Sequence, residues 1–156
     1  MHGVVDPNEP TSMSAHRPLF VYDGDCGICT ATVAWLRRRG ASDVLRFVPS
    51  SERPPEMLAV GLTLQDCLEA AYVIEAFYAP DGSEAFKVFR GAAAINFALG
   101  HLPGGRNTMF RLMARFYRLP GVRHLQDLGY AWVARNRHRL RVGPQVCAVP
   151  RPKDQP

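Results

Sequence analysis

Leu19-Phe20-Val21-Tyr22-Asp23-Gly24-Asp25-Cys26-Gly27-Ile28-Cys29, continuing as TATVAWLRRRG to Gly40, is the stretch that decides the fold. Four consecutive apolar residues end at Asp23-Gly24, the pattern of a buried strand running into a turn. Residues 27–39 then read as a helix with Ile28, Thr32, Trp35 and Leu36 on one face. Arg37, Arg38 and Arg39 in its last turn complement the negative end of the helix dipole, and Gly40 terminates it. Cys26 therefore stands where strand becomes helix, with Cys29 one turn further on.

That placement suits thiol–disulfide exchange. The first cysteine faces free helix N–H groups and the positive end of the dipole, which stabilise a thiolate. The second lies on the same helix face, close enough to resolve a mixed disulfide. Gly27 lets another backbone or sulfur come close. The expected roles are Cys26 as attacking nucleophile and Cys29 as resolving thiol. Asp23 and Asp25 oppose thiolate formation through like charge. A partly buried carboxylate can instead accept the Cys29 proton as general base, and spacing does not choose between the two.

Outward from this stretch the elements follow in a recognisable order. Residues 44–48 (VLRFV) read as a second strand, and a Pro/Ser-rich connection at 49–55 leads to a weaker helical region. Thr63 is the expected cap of a helix at 64–70. Residues 72–78 and 85–89, joined by Pro80-Asp81-Gly82-Ser83, form a hairpin pattern. Gly91 opens an Ala-rich helix through about Leu99, ended by Pro103-Gly104-Gly105. Gly91 with Ala92 to Ala94 provides either close packing against the C-x-x-C helix or a tight strand-to-helix turn. Helices at 106–118 and 122–140 follow, separated by Pro120-Gly121. The first carries an apolar stripe of Met109, Leu112, Met113 and Phe116, with Arg111, Arg115 and Arg118 on the opposite face. In the second, Val122, Leu125, Leu128 and Trp132 recur at helical spacing. The order implies an α/β fold, a thioredoxin-like sheet with flanking helices and a helical, Arg-rich C-terminal extension. Residues 1–17 read as a flexible leader, 18–141 as one domain (core about 18–102, extension about 106–141), and 142–156 as a loose tail. Met13 is an alternative start.

Composition agrees with a single soluble domain. The chain has 156 residues, 47% hydrophobic and 21% charged, within the range of globular proteins and outside that of disordered ones. No apolar run approaches the roughly 18–20 residues of a membrane-spanning helix. The first 17 residues lack the apolar stretch of a secretory signal, so the expected compartment is the cytoplasm. There a disulfide framework does not persist, and a C-x-x-C pair needs another explanation. Cys67 reads as a small packed hydrophobe and Cys147 as a tail thiol open to oxidation or electron relay.

Charge is divided unevenly. Residues 1–100 hold 8 basic and 12 acidic side chains, a balance of −4, whereas residues 101–156 hold 11 basic and 2 acidic, a balance of +9. The arginines from 106 to 141 read first as a solvated helix face. No aromatic–basic interleaving of a nucleic-acid module accompanies them, so nucleic acid is not the expected partner. Arg135 and Arg137 are candidates to pair with Asp23 or Asp25.

Two other chemistries fail on residue count. A structural zinc site wants four ligands, commonly two close pairs, and Cys67 and Cys147 are isolated. Asp23-Gly24-Asp25 after an apolar strand resembles the first motif of haloacid dehalogenase phosphatases. Their chemistry needs downstream carboxylates for Mg²⁺ and a lysine for the phosphate. After Glu84 the only acids are Asp127 and Asp154, and the only lysines are Lys87 and Lys153.

The chain resembles the DCC family of thiol-disulfide oxidoreductases, named for an Asp-Cys-Cys signature matched here by Asp23, Asp25, Cys26 and Cys29. Further matching blocks are LRFVP at 45–49, PDG at 80–82, FRGAAA at 89–94, RLPGV at 118–122 and YAWVARNRHRL at 130–140. The resemblance spans about residues 18–140. It implies a thioredoxin-like fold and protein-disulfide oxidoreductase activity; the expected site uses no tightly bound cofactor and no metal. Two departures from ordinary thioredoxins stand out. Gly27-Ile28 replaces Gly-Pro between the cysteines, which alters the redox potential. No proline lies between Pro55 and Pro80, where thioredoxins carry a cis-proline opposite the cysteines, so substrate docking beside Ala70 and Ala71 must differ.

The expected function is thus electron exchange with protein or small-molecule disulfides through Cys26-Gly27-Ile28-Cys29. The partners are a disulfide or thiol substrate and an electron donor that the residues do not specify. The alternative is a non-catalytic interaction domain or redox sensor whose basic helices bind an acidic partner.

Overall fold

The structure, a computed structural model, describes residues 17–137. The leader at 1–16 and the tail at 138–156, with Cys147, lie outside the described residues. Four strands, β1 (Leu19–Tyr22), β2 (Arg46–Pro49), β3 (Tyr72–Tyr78) and β4 (Glu84–Arg90), form one sheet in the order β2-β1-β3-β4. β1 and β2 run parallel, with Phe20 opposite Phe47, while β3 is antiparallel to both β1 and β4. Six helices flank it: α1 (Gly27–Arg38), α2 (Pro55–Ala59), α3 (Leu64–Glu69), α4 (Ala92–Gly100), α5 (Thr108–Phe116) and α6 (Pro120–Asn136). This is the thioredoxin-like arrangement that the element order implies.

β1 is central, and all four of its residues are buried, which is why it reads as a continuous apolar run rather than an alternating one. Phe20 and Tyr22 point to one face and pack with Val33 and Leu36 of α1, Val73 of β3, and Ala94 and Ala98 of α4. Leu19 and Val21 point to the other and pack with Met57 of α2, Cys67 of α3 and Ile74 of β3. The strand thus ties two cores together, and each large side chain withdrawn from water contributes about 1.5–3 kcal/mol. Cys67 sits in the second core as a packed hydrophobe.

Local signals act as their chemistry demands. Thr63 and Asp66 form a reciprocal capping box at the start of α3. In the hairpin turn, Asp81 accepts hydrogen bonds from the Ser83 backbone and hydroxyl. Several boundaries differ from the expectation. β2 begins at Arg46 because Ala41–Asp43 forms a 3₁₀ turn that carries the chain back from α1. Pro120 does not separate two helices. It is the first residue of α6, where a missing N–H costs nothing. The expected last residues of that helix, 138–140, lie outside the described residues.

The apolar stripe on α5 is oriented unexpectedly. Met109, Leu112, Met113 and Phe116 face solvent, as do Leu125, Leu128 and Trp132 on α6. α5 is held instead through Phe110, whose ring meets Trp35 edge-on at 5.1 Å, with the Arg39 guanidinium 4.8 Å from both rings. The apolar arc of α5 is wider than its seat on the rest of the fold.

Candidate active site

The site lies at the end of the sheet where β1 and β4 finish and β3 begins. Past Tyr22 the chain turns on Asp23, whose Oδ1 accepts the Asp25 N–H at 3.0 Å. Cys26 takes the N-cap position of α1 in an extended conformation (φ −86°, ψ 113°) with no side-chain cap. Its sulfur therefore sits beside the unpaired N–H groups of the first turn. Cys29, one turn on, brings its Sγ to 2.7 Å from that of Cys26 and donates a hydrogen bond to it. Both are free thiols.

This contact splits the two proton affinities. The thiol proton of Cys29, helped by its backbone N–H and by the charge of Arg137, lowers Cys26 to about 6, against the opposing effects of burial and Asp23. Cys29 is driven far up, first by donating to Cys26, then by burial and by the negative charge of Cys26 and Asp23. A thiolate and a thiol thus coexist at neutral pH. Cys67, on the opposite face of the sheet, is raised to about 11 by burial, then by the nearby Asp66 and Asp23 charges.

The two aspartates part company. Asp23 is buried and its Oδ2 lies 3.6 Å from Nη1 of Arg137 at the far end of α6, both side chains being nearly enclosed. Asp25 is exposed. Of the arginines flanking Asn136, the structure brings Arg137 to the site, and Arg135 stays exposed. Among the described residues no cluster of three or more His, Cys, Asp or Glu side chains is placed to hold a metal ion.

The sequence gives Tyr130 no evident role, yet it is central to the site. Its hydroxyl accepts the Ala71 N–H at 2.9 Å, in the stretch beside the cysteines that lacks a proline. Its ring lies against Gly91, where an added Cβ would come within 3.1 Å of it. Gly91 also has φ +60° and donates to the Ala71 carbonyl at 2.8 Å. At Gly91 itself the close partner is Tyr130 of α6, whereas Ala94 of the same small-residue run shares a core with Val33 and Leu36 of the C-x-x-C helix. The available signal was helical spacing: Gln126, Tyr130, Val133, Ala134 and Arg137 form one face of α6, and that face borders a cavity of about 360 Å³ that reaches Cys29.

A buried strand, a turn and a dithiol-bearing helix at the end of this mixed four-stranded sheet define the thioredoxin-like class of fold. The chain belongs to the DCC1-like thiol-disulfide oxidoreductase family, whose model matches residues 20–142. No curated protein and no solved structure gives a significant match to the chain. Among the described residues no helix is long and apolar enough to cross a membrane.

Proposed function

We propose that the protein catalyses thiol–disulfide exchange in the cytoplasm, with Cys26 attacking and Cys29 resolving. The observation that carries this is the asymmetric pair: two sulfurs 2.7 Å apart, one acidified and the other made reluctant to ionise. The Cys26 thiolate attacks one sulfur of a disulfide R–S–S–R′, forming Cys26–S–S–R and releasing R′S⁻, which takes a proton from solvent. Cys29 then loses its proton and attacks Cys26 Sγ, closing the internal disulfide and releasing RS⁻. Two electrons pass from the dithiol to the substrate, and an external thiol or dithiol returns them.

Resolution requires Cys29 to lose a proton that it holds tightly. Of the two acids, Asp23 suits the role of acceptor, because it is buried and its charge acts on both sulfurs, whereas Asp25 faces solvent. Arg137 is a positioning residue that holds Asp23 and favours the Cys26 thiolate.

The test is a pair of serine variants. Cys26→Ser abolishes disulfide turnover, and Cys29→Ser accumulates a mixed disulfide with substrate, read by intact mass. An undiminished rate in Cys26→Ser contradicts the assignment.

A second reading, a redox sensor that docks a partner, draws on the solvent-facing Leu125, Leu128 and Trp132 and the arginines around them. Multiple turnovers per protein molecule distinguish the enzyme from the sensor.

A further inference from the structure

α6 crosses the end of the sheet beside the dithiol and is fastened at two points, Tyr130 to Ala71 and Arg137 to Asp23. Between these contacts it forms one wall of the half-open cavity of about 360 Å³. Phe20 borders that space from β1, Ala71 from the residue before β3, Ile28 and Cys29 from α1, and Ile95 from α4. Val133 and Ala134 border it from α6. Cys29 Sγ is 2.7 Å from Cys26 Sγ. The cavity thus borders the dithiol on its Cys29 side, and a substrate group joined through sulfur to Cys26 needs only to fold back past Cys29 to enter it.

Most of the polar groups around the cavity are already engaged. Asn96 donates to the Ala92 carbonyl at 2.8 Å and to Gln126 Oε1 at 2.6 Å, and the Thr32 hydroxyl donates to the Ile28 carbonyl at 2.7 Å. Tyr130 accepts from Ala71, Arg137 faces Asp23, and Glu69 faces Arg90 at 3.2 Å. Among the described residues each bordering charge thus has a partner of opposite sign, and none of them is a surplus cation for the carboxylates of a glutathione-like substrate. An extended peptide is poorly served as well. Such a ligand binds by pairing with free main-chain donors and acceptors at a sheet edge, yet the N–H of Ala71 goes to Tyr130 and its carbonyl to Gly91. What the space offers is apolar contact. A cavity of about 150 Å³ already holds a benzene ring, and pockets for small molecules begin near 300 Å³.

We propose that this cavity is a specificity pocket for an uncharged apolar group, of aromatic or branched aliphatic type, carried on a small-molecule disulfide. The proposal rests on the exchange reading and names its substrate class. Cys26 and Cys29 together supply two electrons, and the substrate leaves as two thiols, one of which vacates the pocket.

Two dialkyl disulfides of similar intrinsic reactivity provide the test: benzyl 2-hydroxyethyl disulfide and bis(2-hydroxyethyl) disulfide, with dithiothreitol as electron donor and the uncatalysed rate subtracted. The benzyl compound is expected to have a kcat/KM at least about tenfold higher, the discrimination that burial of an apolar group supplies. Ala134→Phe, which fills the cavity, brings the ratio of the two values toward one. Toluene added to the unaltered protein does the same by competition, so the test does not depend on the variant folding. Insulin is expected to be reduced no faster than by dithiothreitol alone. Equal kcat/KM for the two disulfides, a ratio that neither Ala134→Phe nor toluene changes, or rapid insulin reduction would overturn the pocket proposal while leaving exchange itself standing. Absence of turnover with either disulfide would overturn both.

Discussion

Arg137, at the end of α6, lies 3.6 Å from Asp23, the first residue after β1, across 114 positions of chain. The contact places one positive charge from the C-terminal helices against the turn that carries Cys26. Among the described residues the other arginines of the C-terminal helices, from Arg106 to Arg135, face solvent, but this one guanidinium is enclosed and acts on both sulfurs.

Removing that charge shifts the reactivity of Cys26. The guanidinium lowers the Cys26 pKa, although less than the Cys29 hydrogen bond does. Arg137→Gln is therefore expected to raise it above about 6. The pH profile of iodoacetamide alkylation in the reduced protein measures this. An unmoved or lowered midpoint contradicts the role.

Asp23 should affect the two chemical steps in opposite directions. Its charge opposes the Cys26 thiolate, so Asp23→Asn lowers the alkylation midpoint. If Asp23 also takes the Cys29 proton, the same variant slows decay of the mixed disulfide by about a hundredfold, the lower range for a positioned general base. Asp25→Asn is expected to leave both within about twofold, as measured by quenched-flow mass analysis. Equal slowing by the two variants contradicts the assignment.

The thiol pair gives the reduced protein a distinctive stability profile. Cys26 has a folded pKa of about 6, below the ordinary thiol value near 8.5. Its contribution is complete above that unfolded value and is lost as pH falls through 6. Cys29 is shifted upward, so its contribution is present below the unfolded value and is lost as pH rises above it. Stability is expected to climb between pH 6 and 8, by at most about 1.4 kcal/mol per pH unit, and to turn down above about 8.5. Urea unfolding of the reduced protein tests this, with Cys26→Ser expected to flatten the climb.

Gly91 is required for two independent reasons, its φ of +60° and the Tyr130 ring where a Cβ would stand. Gly91→Ala is expected to cost about 1–3 kcal/mol. Tyr130→Phe keeps the ring and loses only the hydrogen bond to Ala71, about 1 kcal/mol plus the effect of an unpaired N–H. Urea midpoints compare them, and a neutral Gly91→Ala would contradict the close approach.

The legible parts of this protein are those set by near neighbours in the chain. The apolar run before Asp23-Gly24, the C-x-x-C at a helix start, the Thr63 cap and the Pro80–Ser83 turn each act within a few residues. Local patterning therefore finds β1, α1, α3 and the hairpin, and with them the thiols. The partnership of Tyr130 with Ala71 and Gly91, and the choice of Asp23 over Asp25 by Arg137, depend on where α6 crosses the sheet, which no local pattern encodes. The same limit explains α5. A stripe at helical spacing shows that Met109, Leu112, Met113 and Phe116 share a face, but which face meets the core is settled by Phe110 finding Trp35.

The central claim is that Cys26 and Cys29 form one exchangeable dithiol. Equilibrating the full chain in glutathione buffers of graded potential, then acid-quenching and mapping by mass, tests it most directly. The account predicts a single two-electron transition, rapidly reached, with the loss of two hydrogens confined to the peptide carrying Cys26 and Cys29, and Cys67 still reduced. Thiols that remain reduced throughout, or oxidation that pairs either cysteine with another residue, would contradict it.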